Sequence, residues 1–247
     1  LLLPTVNHIK FNKGINVFWV EVIADDTCVG KNKINIELTC DNDIITNKSI
    51  DVDVVNCELN FNNFIYTCWF HTDCLMSYYN IDAFSDEYWR ITKNFLNTAN
   101  EYGMNCVLTP IFTPPLDTEV GKERPTVQLV DISYEKGKYI FNFDKLTQWI
   151  KMSKECGIKY FEICHFFTQW GAYHAPKIMA TVDGEYKKIF GWETDALSEE
   201  YRLFLHDFLA ALVDFLKAEG IMEHCFFHVS DEPKVCDEEQ YRKEILP

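Results

Sequence analysis

The stretch Cys225-Phe226-Phe227-His228-Val229-Ser230-Asp231-Glu232-Pro233 decides how this chain is read. A short apolar run with strand propensity leads straight into two adjacent acids, and Pro233 stops any further ladder. Acids are rare inside cores unless they are paired or functional. Two of them where a buried strand stops suggest a site in which one carboxyl is held protonated and the other ionised. The competing reading is a helix N-terminus, with Ser230 or Asp231 as cap and Pro233 in the first turn. The rest of the chain has to decide between them.

Upstream, three helical stretches alternate with apolar runs. Asp86 to Gly103, Asp144 to Gly157 and Glu199 to Gly220 carry helical periodicity, and the first and third follow Ser85 and Ser198 as caps. The first should bury Trp89, Phe95, Leu96 and Ala99; the second Leu146, Trp149, Ile150 and Met152. Each ends on a glycine just before the next apolar run: Asn105 to Phe112, Lys159 to Phe167 and Cys225 to Val229. Phe64 to Leu75 reads as a strand ahead of the first helix. A hairpin is expected from Val127 to Phe143, turning at Glu135 to Lys138, and a long loop from Thr168 to Leu197. Strand and helix alternating at this spacing imply a parallel sheet with crossover helices.

Residues 1–60 differ. Val17 to Val22, Lys33 to Thr39 and Ile50 to Val55 read as strands, with turns at Asp25-Asp26 and Asp41-Asn42-Asp43. The expected fold class is therefore α/β. Residues 61–247 should form the first four strands of a (β/α)8 TIM-type barrel, and residues 1–60 the end of an antiparallel β-sandwich. A whole barrel needs about 250 residues by itself. The chain is thus expected to be a fragment, starting inside a sandwich and stopping within a helix from Asp237 to Leu246. Alone, such a half barrel is expected to be inactive.

Composition narrows the function. The 247 residues carry a formal net charge of −15, which argues against nucleic acid and anionic membrane surfaces as partners. No run approaches the ~20 apolar residues of a membrane span. A neutral ligand such as a sugar fits, and 15% aromatic residues suit stacking as well as a core. Cys68, Cys74, Cys106, Cys164 and Cys225 lie in or beside apolar runs and read as buried thiols, with a lean towards a reducing setting. There is no Cys-x-x-Cys, phosphate loop, nucleophile elbow or Walker lysine, so no cofactor is expected.

In a barrel the site lies at the carboxyl ends of the strands. That rule selects Trp69, His71 and Asp73 from the first strand. It selects Thr109 and Thr113 from the second, and His165 with Gln169, Trp170, Tyr173 and His174 from the third. The fourth supplies His228, Asp231 and Glu232, with strand bodies read as apolar. A metal set of His71, Asp73, His165 and His228 lacks the spacing of a dedicated site, and no metal is expected. Trp192 serves either the site or the long loop.

With those residues assembled, the chain resembles glycoside hydrolase family 123, the β-N-acetylgalactosaminidases. The likeness rests on Trp69-Phe70-His71-Thr72-Asp73-Cys74, Trp170-Gly171, Phe190-Gly191-Trp192-Glu193-Thr194, Ser198-Glu199-Glu200-Tyr201 and, above all, Phe227 to Pro233. Phe18-Trp19-Val20-Glu21-Val22 is similar to the sandwich that precedes the barrel there. The acid pair also occurs in the hexosaminidases of family 20, so the combination carries the resemblance.

The resemblance implies a glycan with β-linked N-acetylhexosamine as partner and a retaining, substrate-assisted mechanism, an exception to the two-carboxylate rule. Glu232 would be the acid/base and Asp231 the residue that orients the 2-acetamido group. Trp69, His71, Asp73, Trp170, Tyr173, His174 and His228 would contact sugar. Two alternatives stand beside it. One is a catalytically silent carbohydrate-binding or scaffold protein on the same fold. The other is an ordinary two-carboxylate glycosidase using Asp73 or a residue beyond Pro247 as nucleophile.

Overall fold

The glycine stops predicted between helix and strand fall where the chain needs them. Gly103, Gly157 and Gly220 follow the three long helices, with φ of +90°, +87° and +67°. At Gly157 a side chain would also collide with the Asn100 carboxamide. That carboxamide donates to the Gly157 and Met104 carbonyls at 3.2 and 3.1 Å, so it joins two crossovers at their ends.

The structure is a computed structural model that describes residues 13–17, 19–41, 43–57, 64–116, 118–232, 238, 239 and 242. It divides into two units, Leu1–Asn60 and Phe61–Pro247. In the first, β1 (Gly30–Cys40) and β2 (Asp43–Val54) form an antiparallel ribbon with Ile34 opposite Ile50. Ile34, Ile36 and Leu38 alternate onto its half-buried face, as the period-2 pattern requires. The third expected strand does not form. Among the described residues, 17 and 19–22 belong to no strand, and Trp19 is exposed; Phe18 lies outside the described residues. β-propensity needs a neighbouring strand to become structure.

The second unit is mixed α/β. Its elements are α1 (Thr72–Tyr79), α2 (Asp86–Glu101), β3 (Cys106–Thr109), β4 (Asp131–Glu135), β5 (Lys138–Asn142), α3 (Asp144–Glu155), β6 (Tyr160–Ile163), β7 (Ile178–Val182), β8 (Glu185–Phe190), α4 (Glu199–Ala218) and β9 (Cys225–Phe227). β3, β6 and β9 are parallel neighbours in that order, and Thr67 bridges Cys106 in parallel on the far side of β3. α3 and α4 follow β3 and β6, as crossovers should.

The expected strand from Phe64 to Leu75 is a correction. Only Thr67 pairs, and Thr72 onward is helix. The alternation Trp69, His71, Asp73 mimics a strand. The burial that wins is helical: Thr72 and Leu75 point inward, and Tyr88 Oη donates to Thr72 Oγ1 at 2.9 Å. The preceding segment is held by Asn105, whose side chain accepts from Tyr66 N at 2.9 Å and donates to the Phe64 carbonyl at 2.7 Å.

The long loop after β6 is a second correction, because it contains the hairpin β7–β8. β7 pairs with β4 in parallel, giving a four-stranded sheet β5-β4-β7-β8. Gln128 locks this sheet. Its amide donates to the Val130 and Met179 carbonyls at 2.8 and 2.9 Å, and its carbonyl accepts from Met179 N at 2.9 Å. α4 closes over β5 through Tyr139, Phe141, Phe204 and Phe208, with ring centroids 5.0 to 6.1 Å apart.

The stripe of α3 is buried as expected. On α2 the buried side chains are Tyr88, Ile91, Thr92 and Leu96, while Trp89, Phe95 and Ala99 are half-buried. Among the cysteines, Cys106 and Cys164 are buried, Cys225 is half-buried, and Cys68 and Cys74 are exposed, against expectation. Of the helix expected from Asp237 to Leu246, Glu238, Glu239 and Arg242 are helical, and the remainder lies outside the described residues, as does Pro233. No helix among the described residues is long and apolar enough to cross a membrane.

Candidate active site

The loops after β6 and β9 are stitched together by main-chain bonds. Phe166 N and Phe167 N donate to the Val229 carbonyl at 3.2 and 3.1 Å, and Trp170 N donates to the Asp231 carbonyl at 3.1 Å. Ser230, buried, donates its hydroxyl to the Thr168 carbonyl at 3.1 Å. Tyr201 Oη, from α4, bonds the Phe166 carbonyl from behind. Parallel neighbours end side by side, so their loops meet over the same edge of the sheet.

This seam carries backbone strain. Trp170, Ala172 and Glu232 have φ of +63°, +59° and +48°, values that L-residues with side chains seldom adopt. Strain of this kind persists only where surrounding bonds impose it. Here it turns Trp170 towards Glu232, and the indole Nε1 donates to Glu232 Oε2 at 2.8 Å. Glu232 is exposed and Asp231 half-buried.

Beneath the acid pair lies a cluster of rings. Trp69 meets His165 edge to face at 5.4 Å and His228 at 5.6 Å, and the two histidine rings are 3.8 Å apart. His165 has no solvent exposure, and neither ring nitrogen has a hydrogen-bond partner among the described residues. Burial, helped by the nearby His228 and His71, pushes its pKa down to about 3, so the ring is neutral at ordinary pH.

Glu162, on β6, is the residue that reading strand bodies as apolar missed. Its Oε2 accepts from Trp69 Nε1 at 2.8 Å and from Thr67 Oγ1 at 3.1 Å, and its Oε1 lies 3.4 Å from His228 Nδ1. An acid alone among Tyr160, Phe161 and Ile163 was the available signal.

His71 stays near His165, and the other sequence candidates fall elsewhere. His71 is the N-cap residue of α1. Asp73 is buried, and its two oxygens accept Arg124 Nε and Nη2 at 2.9 and 3.1 Å. Thr109 donates within its own strand, and Thr113 accepts from Val127 N. Gln169 is buried. Tyr173 and His174 line an open depression of about 380 Å³ with Glu193, Asp195 and Leu197. Trp192 pins its loop, donating Nε1 to the Lys122 carbonyl at 2.8 Å. The structure thus brings together Trp69, His165, Trp170, His228, Asp231 and Glu232, and sets Asp73 in an ion pair.

The family model described as the glycoside hydrolase 123 catalytic domain matches residues 69–246, well over half of the chain. The chain belongs to glycoside hydrolase family 123. Among solved structures it is similar to a family 123 glycoside hydrolase from Clostridium perfringens, whose description concerns glycolipid glycan hydrolysis. The TM-score is 0.65 at 16% identity, covering 88% of this chain. The chain spans 39% of that protein's length. No curated protein matches it. In this member of family 123 the Asp231-Glu232 pair lies in the loop after β9, facing the loop that carries Trp170.

Proposed function

We propose that the chain supplies the acid-bearing part of a retaining β-N-acetylgalactosaminidase that acts with help from the substrate's own 2-acetamido group. One observation carries the reading. Within the matched catalytic domain, two adjacent carboxylates follow a parallel strand in different settings, one exposed beside an indole N–H and one half-buried. Glu232 protonates the leaving oxygen and later activates water. Asp231 accepts the acetamido N–H and stabilises the positive charge that develops as its oxygen closes on the anomeric carbon. Adjacency suits this division, since the two groups serve different atoms of one sugar and neither has to lie beneath the ring.

The parallel strands with crossover helices support the first half of a (β/α)8 barrel, and the β1–β2 ribbon supports part of a β-sandwich. The glycolipid glycans named for the clostridial relative are the substrate class we favour. An ordinary two-carboxylate mechanism through Asp73 has little support, because Arg124 occupies both of its oxygens.

The test is hydrolysis by the full-length protein of aryl β-N-acetylgalactosaminide, the glucosaminide and the plain galactoside, with a thiazoline mimic as inhibitor. Cleavage of the first, inhibition by the thiazoline, and loss of about a hundredfold or more in kcat for Glu232→Gln on poor leaving groups are expected. An Asp231→Asn protein with undiminished turnover would overturn the role given to Asp231.

A further inference from the structure

His165 is hard to explain as a core residue. It is wholly buried, yet neither ring nitrogen has a hydrogen-bond partner among the described residues. An unmet polar atom in a core costs about 1–3 kcal/mol. Packing alone would favour an apolar side chain there. A ligand that uses the lone pair on this ring satisfies one of its two nitrogens.

The neighbours are those such a ligand requires. One nitrogen of His165, one of His228 and one carboxylate oxygen of Asp231 lie within 4.8 Å of one another. Glu162 Oε1 lies 3.4 Å from His228 Nδ1, near enough to orient this imidazole as carboxylates beside metal-bound histidines do. We propose that His165, His228 and Asp231 form a site for one divalent transition-metal ion.

Two imidazoles and a carboxylate suit zinc, cobalt or nickel better than calcium or magnesium, which prefer oxygen. Bonds of about 2.1 Å set tetrahedral ligand atoms roughly 3.4 Å apart. The trio must therefore close slightly. Asp231 and His228, both half-buried, can rotate to do so, while His165 stays in the core. Three protein ligands leave the remaining position open to water or to another ligand. An ion held here occupies the carboxylate assigned to the acetamido group and would block it. That consequence rests on the proposed mechanism; the site itself does not.

The test is titration of the full chain, thiols reduced and oxygen excluded, with cobalt(II) and no substrate. Expected are visible d–d absorption saturating at about one ion per chain, no thiolate-to-cobalt charge transfer, and at least a tenfold weaker affinity for both His228→Ala and Asp231→Asn. Circular dichroism of both variants confirms that the fold is kept. Thiolate charge transfer would place the ion on a cysteine, Cys40, Cys57, Cys68 and Cys74 being exposed, and overturn the proposal. So would no absorption up to millimolar cobalt, or an affinity that both variants leave unchanged. Because no substrate is present, failure here leaves the glycosidase reading untouched.

Discussion

At the scale of single residues, Trp170 is where reading from the sequence and reading from the structure meet. As a sequence feature it is an aromatic ring suited to stacking on sugar. In the fold its backbone is strained to φ +63° and its indole N–H is spent on Glu232. A typical hydrogen bond contributes about 0.5–1.5 kcal/mol. Trp170→Phe keeps the ring and deletes the donor. It should lower kcat on the order of tenfold, with KM little changed and unaltered circular dichroism. Equal kcat in parent and variant would remove Trp170 from the positioning of Glu232. Glu232 and Asp231 were legible because acids at the end of an apolar strand violate the usual burial rule. Glu162 was equally irregular, but its partners Trp69, Thr67 and His228 come from segments far away in the chain, so its meaning was not local.

At the scale of elements, the segment around Asp73 shows how a local pattern is overruled. Alternation predicts a strand with Asp73 at its open end. The chain instead enters α1, and Asp73 sits in its first turn, paired with Arg124 from the loop after β3. Side-chain exposures of 11% and 5% make this a buried pair, so removing one partner leaves the other charge uncompensated. Asp73→Asn should therefore destabilise the protein by about 3–5 kcal/mol in urea unfolding, with KM for the sugar largely kept. An unchanged unfolding midpoint with a raised KM would return Asp73 to the substrate. The hairpin β7–β8 was missed although Asp183-Gly184 stands between alternating runs, a strong hairpin signal. A second ion-pair group ties it down. Lys177 and Lys188 hold Glu123 at 3.3 and 2.5 Å, and the hydrogen bond from Lys188 lowers the Glu123 pKa.

At the scale of the whole molecule, burial is uneven. No described residue of the first unit is buried, whereas β3 is buried throughout and Phe112, Trp149, Phe204 and Phe208 are fully enclosed. Protection from amide exchange follows burial and cooperative packing. Amides of β3 and β6 should be the slowest to exchange, and those of β1 and β2 should exchange at least a hundredfold faster, since a two-stranded ribbon is marginal alone. Hydrogen exchange read by mass spectrometry checks this, and equal protection in both units would contradict it. The sequence by itself determined the alternation of strand and helix, the helix stops and the acid pair, because caps, glycines and hydrophobic period act within a few residues. Only the tertiary structure decided that Asp73 faces Arg124, that two hairpins join in one sheet, and that His165, His228 and Asp231 converge. Those outcomes depend on contacts between residues far apart in the chain, whose geometry no local pattern encodes.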